Sequence, residues 1–77
     1  MKRNKKLHTK SYIQLGKNIR NYRKLKKYSQ EELAFSVSSA RNYIGCIERG
    51  EKIPSISILL DIARELDCSI QDLFFKV

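Results

Sequence analysis

Apolar residues recur along this chain at steps of three and four, the spacing of helices with one buried face. Between residues 11 and 25 they fall at Tyr12, Leu15, Ile19 and Tyr22, while Lys17, Arg20, Lys24 and Lys27 lie off that stripe. This predicts a first helix with a basic outer surface. Ser29-Gln30-Glu31-Glu32 is a capping box, in which the Ser29 hydroxyl accepts from the amide three residues on and Glu32 reaches back to the Ser29 amide. Tyr28, just before it, suits a hydrophobic staple. A second helix then runs to about residue 37, with Leu33, Ala34 and Val37 inward. Ser36-Val37-Ser38-Ser39 breaks the pattern and predicts a short turn. A third helix spans about residues 40–49, with Ile44 and Ile47 inward and Gly50 as its stop. After a loop over residues 51–54, Ser55 caps a fourth helix whose expected stripe is Ile56, Leu59, Leu60, Ala63 and Leu66. Ser69-Ile70-Gln71-Asp72 is a second capping box, opening a short fifth helix that turns Ile70, Leu73 and Phe74 inward. No segment alternates with a period of two for long enough to make a strand. The expected fold is all-α, five short helices.

Charge changes the picture more than size does. The 77 residues hold one small domain, with a core drawn from the 42% that are hydrophobic. Of 16 Lys and Arg, eleven lie in residues 1–27 with no acidic residue among them. Residues 28–77 carry five basic and eight acidic residues, a net of −3. One end of the chain is thus a cation, which suggests a polyanionic partner. Residues 1–10 hold five positive charges and too little apolar surface to order themselves. They read as a flexible basic arm, either engaged with that partner or merely solubilising, with the five-helix domain over 11–77.

Other classes fall away. The apolar runs are too short to span a membrane, and no apolar stretch follows the basic start as in a secretory signal. Cys46 and Cys68 are too few for a disulfide scaffold, and with His8 as the one histidine no four-ligand metal site can be assembled. The expected compartment is a reducing cytosol, with no cofactor. The size argues against a catalytic cleft with a lid, and no nucleophile–base constellation supports an enzyme. Capping accounts for Glu31 and Glu32.

The informative stretch is residues 29–50, two short helices joined by a tight turn. Helices that cross steeply and closely need a small residue at the crossing, and Ala34 supplies it. The outer face of the second helix is then Arg41, Asn42, Gly45, Cys46 and Arg49, polar and slim enough for a major groove. Arg can fork onto guanine and Asn onto adenine.

Ser-Gln-Glu-Glu-Leu-Ala at 29–34, Arg-Asn-Tyr-Ile at 41–44, Ile-Glu-Arg-Gly at 47–50 and Pro54-Ser55 resemble the Cro and phage-repressor type of helix-turn-helix family. The resemblance covers residues 15–75. Within that family, Tyr-Ile-Gly-x-Ile-Glu-Arg at 43–49 is similar to controller proteins of restriction–modification systems, and to strings in phage, plasmid and antitoxin regulators. The resemblance implies a lambda-repressor-like five-helix domain, a homodimer and a pseudo-palindromic operator read by a sequence-specific transcription regulator. Carried over by position, Arg41 and Asn42 read bases, and Tyr43 and Cys46 share their surface. Gln30, Arg23, Arg49 and Lys52 contact phosphates. Arg23 and Glu48 match a salt bridge that would hold Arg23 near the DNA backbone.

The chain departs from the family at four positions. Lys27 and Ser38 stand where glycine is usual, so one or both turns are expected to be altered. Ser39 replaces an aliphatic residue and Ala40 a Ser or Thr cap, which shifts the expected cap of the third helix to Ser38 or Ser39. Cys46 reads as a small groove-facing residue or a redox sensor, Cys68 as a buried thiol. Phe35 falls on the outer side of the second helix, where it either tucks against a loop or anchors a protein partner. That second option supports a competing reading, a protein-interaction module such as an antitoxin. Phe75 and Val77, with Leu73, are the expected dimer contacts.

Overall fold

The computed structural model describes residues 8–77, folded as α1 (Thr9–Leu25), α2 (Gln30–Ser36), α3 (Arg41–Glu48), α4 (Ile56–Glu65) and α5 (Ile70–Leu73). Among the described residues there is no strand. The basic arm lies mostly outside the described residues; its last two, Thr9 and Lys10, form the start of α1.

The helix starts follow local chemistry. Ser29 Oγ accepts from the Glu32 amide at 3.0 Å, and Glu32 Oε1 from the Ser29 amide at 2.8 Å. Ser69 and Asp72 repeat this at 3.0 and 2.9 Å, and Ser55 Oγ accepts from the Ile58 amide at 3.2 Å. Helix α3 is the exception. Its N-cap is Ala40, which has no side-chain cap, rather than Ser38 or Ser39. Ser38 and Ser39 belong instead to the ending of α2, Ser38 as its left-handed residue and Ser39 through its amide bond to the Ala34 carbonyl.

Helices α1 to α4 share one ending. The amides of Tyr28, Ser39, Glu51 and Cys68 donate back five residues, to the carbonyls of Arg23, Ala34, Cys46 and Ala63, at 2.8–3.1 Å. A left-handed residue makes each return: Lys27, Ser38, Gly50 and Asp67 have φ of 62°, 53°, 77° and 54°. The turns at Lys27 and Ser38 are therefore not altered for want of glycine. The backbone accepts a strain of about 1–2 kcal/mol at each, because each ending satisfies two helix carbonyls.

The core joins Leu15 and Ile19 of α1 to Leu33 and Ala34 of α2 and Ile44 and Ile47 of α3, with Val37 between. Helix α3 packs on α1 and α2, and α5 packs on α1 and α4. Gly16 lets α1 meet α3, since a Cβ there would run into the carbonyl oxygens of Ile47 and Glu48. Two expected stripes need correction. On α4 the buried residues are Leu59, Ile62 and Ala63, continuing to Leu66, while Ile56 and Leu60 face outward. On α5 Leu73 is fully buried and Phe74 is exposed, because the helix ends at Leu73 and Phe74 caps it. Leu73 is thus a core residue and no dimer contact. The tail is tied down by Asn18, which was not singled out in the sequence: its Nδ2 donates to the carbonyls of Leu73 and Phe75, both at 2.8 Å.

Candidate nucleic-acid interface

Helix α3 buries Ile44, Ile47 and Glu48 against the core, and helical spacing turns Arg41, Asn42, Gly45 and Cys46 the other way. Arg41, Asn42, Gly45, Cys46 and Arg49 line one shallow polar concavity together with Gln30 of α2. Arg41 and Asn42 stand exposed on its first turn. Tyr43 does not join them. It lies on the side of Ile44 and Ile47, half-buried and packed against the core.

A buried polar network supports this face from beneath. Arg23 Nε and Nη2 donate to the two carboxylate oxygens of Glu48 at 2.6 and 3.0 Å, and Nη1 donates to the Tyr28 carbonyl at 2.7 Å. The two side chains are only 10% and 3% exposed. Gln30 Nε2 donates to the same Glu48 Oε1 at 3.0 Å. No buried side-chain polar atom among the described residues lacks a partner. A fully satisfied network of this kind is rigid. The Arg23–Glu48 pair expected from the motif forms, and three of the five Arg23 N–H groups donate inside the protein. Arg23 holds Glu48, and Glu48 holds the Gln30 carboxamide at the edge of the concavity.

Arg49 is also engaged. Its Nε and Nη2 donate to Glu51 Oε2 and Oε1 at 2.9 and 3.1 Å, and Nη2 lies 3.6 Å from Cys46 Sγ. The hydrogen bond and charge of Glu51 raise the Arg49 guanidinium above its ordinary value; the same hydrogen bond lowers the Glu51 carboxyl below its own. The sequence did not mark Glu51. The left-handed turn at Gly50 is what folds it back beside Arg49. Lys52, in the loop that follows, is exposed and forms no ion pair among the described residues.

The remaining candidates lie elsewhere. Phe35 stands out from α2, 86% exposed, so it does not tuck against a loop. Cys68 is half-buried against the core, and burial first, then Asp72 and Asp67, push its thiol up. Phe75 and Val77 are exposed, as expected, with Lys76 Nζ 5.4 Å above the Phe75 ring. Among the described residues no three His, Cys, Asp or Glu gather as metal ligands would, and no helix is long and apolar enough to cross a membrane.

A family model described as helix-turn-helix matches residues 19–73. The control protein C.SmaI of Serratia marcescens is 39% identical over 62 residues, which are 80% of this chain and 74% of that protein. The crystal structure of the restriction-modification controller protein C.AhdI of Aeromonas hydrophila matches with a TM-score of 0.78 at 36% identity, over 82% of this chain and 96% of that one. SinR of Bacillus subtilis, a master regulator for biofilm formation solved in complex with DNA, matches with a TM-score of 0.72 at 40% identity, over 77% of this chain and 95% of the solved one. This chain spans 54% of the length of SinR, which is also solved in complex with the SinI protein. With that match running from α1 through α5, on the residues that build the α2–α3 unit, the chain belongs to the helix-turn-helix family of the Cro and phage-repressor type.

Proposed function

We propose that this protein is a sequence-specific DNA-binding transcription regulator that inserts α3 into the major groove. The observation that carries this reading is the outer face of α3. It is polar, narrow at Gly45 and Cys46, and held from below by the Arg23–Glu48–Gln30 network. Arg41 and Asn42 read base edges, with Cys46 as a small neighbour that lets the helix sit deep. Gln30 and Lys52 contact phosphates on either side and fix the register. The likeness to controller proteins and to SinR, solved with DNA, supports the same class of function.

The protein acts as a homodimer on a pseudo-palindromic operator. Phe74, Phe75 and Val77 supply the contact, exposed on a tail whose backbone Asn18 pins to α1. The two-fold of the dimer then relates the two half-sites, with centres about 10–10.5 base pairs apart. Selection of duplexes from a random pool tests this. The expected result is a palindrome with that spacing. Equal binding to all duplexes would overturn it.

One observation favours a second reading, a protein-interaction module with DNA binding secondary. Phe35 is the most exposed large apolar residue described, and Tyr28, Glu31, Glu32 and Ser36 surround it. Under the first reading Phe35→Gln leaves operator affinity and gene regulation intact. Regulation lost with operator affinity unchanged would favour the second.

A further inference from the structure

We propose that Glu51 positions Arg49 as a base-reading side chain, seated on the bare surface of Gly45. This rests on the DNA-binding reading above. Arg49 follows the last residue of α3, but its side chain runs back along the helix, the usual direction for long helical side chains. Its Nη1 lies 3.1 Å from where a Gly45 Cβ would stand, and its Nη2 beside Cys46. Gly45 is buried because this guanidinium and the Gln30 carboxamide cover it. The charge therefore lies across the middle of the outward face, next to Arg41 and Asn42, and not at the rim where phosphates pass.

The hydrogen-bond geometry decides what this guanidinium is suited to. It has five N–H donors in a rigid fork. Glu51 takes Nε–H and one Nη2–H. Both Nη1 hydrogens remain, and the second on Nη2 meets only the weak acceptor Cys46 Sγ at 3.6 Å; this is the end-on edge that grips guanine O6 and N7. A phosphate contact is served by charge, which Glu51 offsets. A base contact is served by direction, which a two-point clamp supplies. A carboxylate on a surface that meets a polyanion also repels every duplex alike, which lowers affinity without changing discrimination.

The pair is exposed, its side chains 58% and 55% accessible, and such pairs add little to stability. Variants at either position therefore fold, and the readout is recognition alone. The experiment measures the full chain against its selected site, every single-base variant of that site and an unrelated duplex at one salt concentration. Arg49→Ala is expected to lose about tenfold discrimination at one base pair per half-site. Glu51→Gln is expected to lose similar discrimination at the same base pair, while the unrelated duplex binds more tightly as a negative charge is removed. The double variant should lose no more discrimination than Arg49→Ala. Glu51→Gln that tightens every sequence equally would overturn the proposal, as would Arg49→Ala that weakens every sequence equally, which makes Arg49 a phosphate contact. Both outcomes leave the DNA reading standing. A wild-type chain with no preference among duplexes overturns both.

Discussion

The outward face of α3 is polar and fully bonded beneath, whereas α4, α5 and the tail turn Ile56, Leu60, Phe74, Phe75 and Val77 to solvent. At the first, Arg23, Glu48 and Gln30 satisfy one another, and the residues above them are polar or small. At the second, Asn18 fixes the tail backbone, but Phe74, Phe75 and Val77 stay exposed among the described residues. The first surface is complete in a monomer and shaped to meet a polar partner. The second would be completed by another apolar surface, which is the contact proposed above for the homodimer.

The largest expected effect comes from attacking the first surface at its base. Glu48→Ala leaves the Arg23 guanidinium buried without its counter-charge, a loss of about 3–5 kcal/mol in chemical denaturation. That is a large share of the stability of a domain this small. Replacing Arg23 and Glu48 together with Met sharpens the comparison. Stability should largely return, while operator affinity stays low because Gln30 has lost its acceptor. Full affinity in the double variant would show that the network serves the fold alone.

Next in size is Phe75→Glu, directed at the second surface. Burying one large apolar side chain is worth about 1.5–3 kcal/mol, and a two-fold contact uses each residue twice. The expected product is a folded monomer in sedimentation, with weakened operator binding. A variant that stays dimeric would move the contact to Ile53, Ile56 and Leu60.

Within the first surface, Arg41→Ala should cost about 1–3 kcal/mol and relax preference at one base pair per half-site. Lys52→Ala should weaken all sequences alike and reduce the salt slope by about 1. Titrations against operator variants at several salt concentrations separate the two. The smallest effect concerns the turn that sets α2 against α3. Ser38→Gly should raise the stability measured by thermal melting by about 1 kcal/mol, by relieving a left-handed serine. It leaves the outer face untouched, so sequence preference should not change.

Much of this was legible in the sequence for a local reason. A cap is made by residues three apart, so Ser29, Ser55 and Ser69 announced three helix starts without any knowledge of the fold. The inward apolar residues of α2 and α3 followed from spacing, because polar residues occupy most of their other sides. In α4 that signal fails. Its run Ile-Ser-Ile-Leu-Leu-Asp-Ile-Ala fits two helical stripes, one through Ile56 and Leu60 and one through Leu59 and Ile62. Where α2 and α5 pack decides for the second.

The sequence by itself determined five helices, their three serine caps and the outward set Arg41, Asn42, Gly45, Cys46 and Arg49, since each depends on neighbours within a turn or two. Tertiary structure decided the rest, through contacts between residues distant in the chain. Arg23 turns inward because Glu48 and the Tyr28 carbonyl meet it from 25 and five residues away. Leu73 is core and Phe74 is surface because Asn18, 55 residues earlier than Leu73, binds the end of α5. Periodicity names which residues share a face, but only the packed partner determines which face is buried.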